Sequence, residues 1–258
     1  MSPTFVRLEG LSQGYGRRRV IDGLNLTIGP GVTGLLGPNG VGKTTLLRTL
    51  STVTPPKAGS LELFGEEIRT EAAARRARRK IGYLPQDFGY YPNFSVADFV
   101  YYCAWLREIP DKQAGEATDR AIASVALGDR AREKMKSLSG GMLRRAGIAA
   151  AIVGAPPLVL LDEPTVGLDP EQRLDFRELI RSLAREGVGV LLSTHLVEDV
   201  GAACDKVLVL HGGQIRYQGT PKKLAEIAVE SAPGDSPLER GYMTVLASVR
   251  DAQKAAVS

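Results

Sequence analysis

Apolar positions along the chain recur with two periods, and the order in which they do so predicts a layered fold. From residue 140 onward, helical stretches alternate with short runs that are apolar throughout. A helix is predicted over 140–154, then a strand in "LVLLDE" (158–163), a helix over 171–185 and a strand in "VGVLLST" (188–194). A helix over 196–203 and the strands "KVLVL" (206–210) and "QIRYQG" (214–219) follow. Strands without a polar face need cover on both sides, which indicates a mostly parallel sheet between helices. The first hundred residues are richer in short strands: "FVRLEG" (5–10) alternates as an edge strand does, and "LNLTI", "VTGLLG", "SLELFG" and "IGYLP" come after it. Helices are predicted over 43–52, 71–80, 95–107 and 113–126. The expectation is an α/β fold with an N-terminal β-layer beside a mostly parallel sheet. The last 28 residues, with "APGDSP" and "KAAVS", read as a linker, a short helix and a frayed tail.

Composition narrows the classes. With 258 residues, 43% of them apolar, the chain can bury a large core, yet no apolar run reaches 18 residues, so no bilayer-spanning helix is expected. The start, "MSPTFVRLEG", lacks the basic and apolar segments of a secretory leader. Cys103 and Cys204 stand alone, without metal-type spacing, and read as reduced thiols. A net charge of +4 does not argue for nucleic acid, and the basic run 71–80 reads as a solvated helix face.

Candidate chemistry begins at "GPNGVGKT", Gly37 to Thr44, which fits the phosphate-loop pattern in full, between an apolar strand and a helix. In such a turn the backbone amides of Gly37, Pro38, Asn39, Gly40, Val41 and Gly42 (proline excepted) wrap phosphates at a helix N-terminus. Lys43 reaches the β and γ phosphates, and Thr44 offers its hydroxyl to Mg²⁺. Asp162 emerges at the carboxyl end of a buried strand, where a carboxylate can hold Mg²⁺ through water. Glu163, next in line, can polarise an attacking water. His195 follows another apolar strand at the same sheet edge, and Gln86 sits in the turn after "IGYLP". A second glycine turn, "LSGG" (138–141), opens a basic helix and is also built to donate to phosphate.

The order "GPNGVGKTT", "YLPQ", "LSGG", "LVLLDEPTVGLD", "STH" resembles the nucleotide-binding subunit of an ABC transporter over about residues 4–228. The resemblance implies a P-loop NTPase core with an N-terminal antiparallel β-layer and an inserted helical subdomain at about 88–155. The ATPase domain would span 1–228, leaving 229–258 as the tail. It implies ATP and Mg²⁺ as ligands. Gly37 to Thr45 would form the phosphate loop, Gln86 would touch Mg²⁺ and sense a membrane partner, and Asp162 would serve the metal. Glu163 would be the catalytic base, His195 a switch on the γ-phosphate, and Asp169 the aspartate of the loop before the next helix. Tyr15, in "GYG", falls where the family stacks an aromatic on adenine. Ser139, Gly140 and Gly141 would face the ATP of a second subunit, so that two chains, most simply identical, sandwich two nucleotides head to tail. Met142 stands where glutamine is frequent.

Further expectations are separate transmembrane permease subunits, no nucleic-acid partner and a place on the cytoplasmic face of the membrane. Nine of the fifteen aromatic residues lie between Tyr83 and Trp105, expected to divide between core packing and a docking surface. The wording "YYPNFSVADFVYY" is similar to export-type systems, including drug and antibiotic exporters. A soluble ABC protein of ribosomes or DNA fits less well: there is room for one ATPase unit and no long coiled coil between its halves. A small-molecule kinase would leave "LSGG" and "VGLD" unexplained.

Overall fold

The computed structural model describes residues 3–16 and 18–255, with side chains to residue 249. In chain order its elements are β1 (Val6–Tyr15), β2 (Arg18–Ile28), β3 (Gly31–Leu36), α1 (Lys43–Leu50), β4 (Ala58–Leu63), β5 (Glu66–Glu67), α2 (Glu71–Arg78) and β6 (Ile81–Leu84). Then come α3 (Val96–Leu106), α4 (Asp111–Ser124), α5 (Gly140–Ile152), β7 (Leu158–Asp162), α6 (Pro170–Arg185), β8 (Gly189–Thr194) and α7 (Val197–Ala203). β9 (Lys206–His211), β10 (Gln214–Gly219), α8 (Pro221–Glu226) and α9 (Pro237–Ala255) complete the chain.

The expected α/β architecture is observed. Six strands in the order β10-β9-β3-β8-β7-β6 form a sheet that is parallel except at β10, and β2-β1-β4-β5 form a separate antiparallel sheet. The apolar strands feed two cores because successive side chains point to opposite faces. Leu158, Leu160 and Leu191 meet Leu46, Leu47 and Leu50 of α1 and the leucines of the antiparallel sheet. Val159, Leu161, Val190 and Leu192 face the layer of α3, α4, α5 and α6. α1 is therefore pressed between the two sheets. In register, Leu36 lies opposite Thr194, Asp162 opposite Ser193 and Leu84 opposite Leu161. The strands thus end at one edge, and the four loops that leave there carry the candidate residues.

The N-terminal sheet differs from the expectation. β1 runs to Tyr15 and lies between β2 and β4, so it is a central strand. Alternation reports one solvated face, which a central antiparallel strand has as well as an edge one. The strand continues beyond the expected 5–10 through Gly10, Ser12 and Gly14 because register shifts absorb them, with Gly10 at φ +58°.

The tail differs too. α9 is a 19-residue helix, longer than the short helix expected in 229–258, and it buries Val245 and Leu246 against α7, α8 and β9, with Val249 buried as well. Gly241 makes this possible: a Cβ there would stand 1.8 Å from the Leu224 carbonyl oxygen of α8, a helix not read from the sequence. Both cysteines are free, and among the described residues no helix is long and apolar enough to cross a membrane.

Candidate functional site

The turn between β3 and α1 is closed around its own lysine. Two of its glycines lie at positive φ, Gly40 at +77° and Gly42 at +113°, where a side chain is strained. Gly42 also has no room, since a Cβ would lie 2.8 Å from Val20 Cγ1 and 2.9 Å from Ile21 Cδ1. Gly37 is buried, while Pro38, Asn39 and Gly40 form the exposed crest and Val41 is partly covered. Lys43, itself buried, donates from Nζ to the carbonyls of Gly37 (2.7 Å) and Pro38 (3.2 Å). Thr44 is half-buried on the first turn of α1. Its neighbour Thr45 is buried, with Oγ1 3.4 Å from the hydroxyl of Tyr15. Tyr15, 58% exposed, therefore stands beside the turn.

Across from Lys43 sits Glu163. Its Oε1 lies 3.4 Å from Lys43 Nζ, and its Oε2 lies 2.8 Å from His195 Nδ1. Its backbone is unusual for a residue with a side chain, at φ +51°. Such a conformation costs about 1–3 kcal/mol and persists only when the surroundings fix it. Here they do: the Glu163 amide donates to Ser193 Oγ (3.0 Å) and to the Ser193 carbonyl (3.2 Å). Ser193 in turn donates from Oγ to Asp162 Oδ1 at 2.5 Å.

Asp162 is wholly buried, and its Oδ2 has no hydrogen-bond partner. An unpaired buried carboxylate oxygen is costly, so this atom calls for a cation or the water of one. Among the described residues no group of three or more His, Cys, Asp or Glu could hold a metal. A lone carboxylate oxygen of this kind suits a hard cation such as Mg²⁺, whose other ligands would be hydroxyl, amide, phosphate or water oxygens.

Gln86 is exposed in the turn after β6. Its carbonyl accepts from Arg144 Nη1 at 2.9 Å, which ties it to the strand end that carries Asp162 and Glu163.

The second glycine turn is built differently. Ser139 is the N-cap of α5, its hydroxyl accepting from the Met142 amide at 3.3 Å, and both Ser139 and Gly140 are exposed. Gly141 packs against α6, where a Cβ would meet Gln172 Oε1 at 2.5 Å. Asp169 caps α6, accepting from the Gln172 amide at 2.8 Å. Gln172 thus links the two helix starts: Gly141 packs against its side chain and Asp169 accepts from its amide, with Ser139, Gly140 and Asp169 exposed. Among the described residues, no hydrogen bond or ion pair joins them to Gly37–Thr45.

Three supporting residues escaped the sequence reading. Arg144 on α5 is buried and donates to five carbonyls on two loops. Asp199, at the start of α7, accepts from Thr165 Oγ1 (2.7 Å) and Arg177 Nη2 (2.8 Å), binding the loop after Glu163 to α6 and to the segment following His195. Ser193 holds both carboxylate-bearing residues. Each reads in sequence as a common residue on an ordinary helix or strand. An arginine or aspartate on the apolar face of a helix was the one available signal.

The aromatic segment forms a groove of about 1280 Å³ between α2, the end of β6 and α3, lined by Phe88, Tyr90, Tyr91, Tyr102 and Trp105 with Arg75 and Arg79 at its rim. Phe88, Tyr90 and Phe94 pack on the helical core, whereas Tyr91 and Trp105 are 53% and 58% exposed. Both arginines pair with Glu108.

A family model described as ABC transporter matches residues 21–166. The chain is 37% identical over 224 residues to the Nod factor export ATP-binding protein I of Ralstonia nicotianae, covering 86% of this chain and 69% of that one. It is 36% identical over 225 residues to the daunorubicin resistance ATP-binding protein DrrA3 of Streptomyces coeruleorubidus, covering 87% and 71%. A solved ATP-binding subunit of an ABC transporter superposes with a TM-score of 0.82 at 24% identity, over 94% of this chain and all of that one, a likeness that speaks for the fold.

Proposed function

The chain belongs to the ABC transporter family as an ATP-hydrolysing, ATP-binding subunit, and from that premise we propose that it powers export through separate membrane subunits, by head-to-tail closure of two copies of the chain on ATP. Export is supported by the relatives, one named for Nod factor export and another for daunorubicin resistance. The observation that carries the mechanism is Glu163, held between Lys43 and His195 at the strand edge that bears the glycine turn.

On this reading the amides of Gly37–Thr45 and the ammonium of Lys43 bind the phosphates, and Tyr15 stacks on the adenine. Thr44, Gln86 and Asp162 hold Mg²⁺, which when bound offsets phosphate charge. Glu163 takes the proton of the attacking water as the terminal phosphate leaves ADP, and His195 fixes the Glu163 carboxylate and senses the γ-phosphate. Ser139, Gly140, Gly141 and Asp169 serve the nucleotide of the partner copy, so ATP favours the closed pair by binding it better. The aromatic groove beside Gln86 receives the membrane subunit, with the chain on the cytoplasmic face of the membrane and no role for nucleic acid. Residues 1–228 form the ATPase unit.

Glu163→Gln tests the carrying observation because it keeps the size and removes the base. Hydrolysis should fall at least about a hundredfold, within the 10²–10⁴ range of general-base catalysis, while ATP still binds. Size-exclusion chromatography should show dimers with Mg·ATP and monomers without it. Near-normal turnover would refute the assignment.

A further inference from the structure

Arg144 is 6% exposed, and its guanidinium makes five hydrogen bonds. Nε donates to the Pro164 carbonyl (3.2 Å), and Nη1 to those of Pro85 (3.1 Å) and Gln86 (2.9 Å). Nη2 donates to the carbonyls of Asp162 and of Glu163, the latter at 2.7 Å. All three nitrogens are used, on the two loops that leave β6 and β7. A planar fork with five donors can do this, and an ammonium, with three donors at one point, cannot. Burial lowers the pKa of Arg144, opposed by Asp162, Asp87 and Glu163.

Two consequences follow from where those carbonyls lie. The grip on residues 162, 163 and 164 completes what Ser193 begins: the backbone of Glu163, strained at φ +51°, is held through its amide by Ser193 and through its carbonyl by Arg144. The grip on residues 85 and 86 reaches the aromatic groove through Pro85, which lines it. One turn along α5, on the same face, a Cβ on Gly147 would lie 2.7 Å from the ring of Phe88 and 2.8 Å from Leu84 Cδ1. Phe88 stacks on Phe99 of α3 with ring centroids 5.9 Å apart, and α3 ends with Tyr102 stacked on Trp105 at 6.0 Å.

We propose that Arg144 is a positioning residue that couples the aromatic groove to hydrolysis, its guanidinium joining the carbonyls of Pro85 and Gln86 at the groove to the backbone that aims Glu163. The proposal rests on the reading of Glu163 as the catalytic base. Because coupling is reciprocal, events at the nucleotide must also be felt in the groove.

Trp105, the only tryptophan of the chain, is the reporter. Mg·ATP added to the isolated full-length protein should change its fluorescence emission. Arg144→Lys should bind Mg·ATP with an affinity within threefold of the parent, lose at least four-fifths of that emission change and lose at least tenfold in kcat with KM little altered. Gly147→Ala touches no candidate nucleotide residue but pushes on Phe88 from below. It should change both kcat and the emission response in the parent and neither in the Arg144→Lys background.

The proposal is overturned if the parent shows no emission change, if Arg144→Lys keeps the response and kcat, or if its loss falls on KM. If Arg144→Lys does not fold, Gly147→Ala alone decides, and parental kcat and response in that variant overturn the proposal. Glu163→Gln is measured alongside: parental turnover there removes the catalytic reading itself, whereas an inactive Glu163→Gln beside a fully responsive Arg144→Lys removes only the coupling.

Discussion

The two glycine turns look alike in sequence and differ in almost every physical respect. Gly37–Thr44 is enclosed. Gly42 is at positive φ with side chains against it, and Lys43 is drawn into the carbonyls of Gly37 and Pro38 and faces Glu163. The second turn is open at Ser139 and Gly140: a Cβ on Gly140 would meet nothing within 4 Å, and Ser139 turns its hydroxyl to its own helix. A closed turn needs glycine for its own shape. Gly140 has no such need, unlike Gly141, which packs against Gln172, and on the proposed function Gly140 serves the nucleotide of a second copy.

Alanine at each turn should break the comparison if it is wrong. Gly42→Ala places a methyl in left-handed backbone at roughly 1–2 kcal/mol and against Val20 and Ile21 at about 1–3 kcal/mol more. Its thermal midpoint and its ATP affinity should both fall sharply. Gly140→Ala should leave the midpoint unchanged or raise it, since alanine at a helix position is favoured over glycine by up to about 1 kcal/mol. On the proposed function its hydrolysis should nonetheless drop about tenfold or more, because the methyl would stand where phosphate oxygens approach. Calorimetry and steady-state ATPase assays separate the two variants, and equal melting losses would end the distinction.

Mixing sharpens it further. Lys43→Ala disables the closed turn, and Ser139→Arg blocks the open one with a long side chain. Either protein alone should be nearly inactive. In a mixed head-to-tail pair one site joins two intact halves. Random pairing makes half the dimers mixed, with one good site of two, so recovery should approach about a quarter of the parent if sites act independently. Crosslinking must show that mixed dimers form. With that shown, no recovery means the open turn does not serve a partner.

The contrast between enclosed and open surfaces extends to the aromatics with a smaller effect. Tyr91→Ser with Trp105→Ser removes two exposed rings that line the groove and spares Phe88, Tyr90 and Phe94, which pack on the core. Pull-down of the membrane subunit should weaken, each ring contributing upwards of about 1 kcal/mol as exposed anchors do, while ATP affinity holds. Unchanged capture would leave those rings without a docking role.

Much of this was legible in the sequence because it is local. The apolar runs 158–162 and 189–194 announce doubly covered strands, and glycines, lysine and threonine packed into eight residues announce a phosphate turn. Asp162, Glu163 and His195 stand at strand ends, and parallel pairing in register must bring such ends together. The central place of β1 and the length of α9 were not legible. The first depends on which strand pairs with which, and the second on the backbone of α8 fitting against Gly241.

The sequence by itself therefore determined most of the strands and helices and the residues at one edge of the sheet, since these follow from periodicity and from motifs a few residues long. Only the tertiary structure decided that Arg144, a basic residue on a basic helix, binds loops 18 to 59 residues away, and that Asp199 ties α7 to α6 and to Thr165. A buried polar side chain takes its meaning from the partners that satisfy it, and distant parts of the chain supply those partners only after the cores have packed.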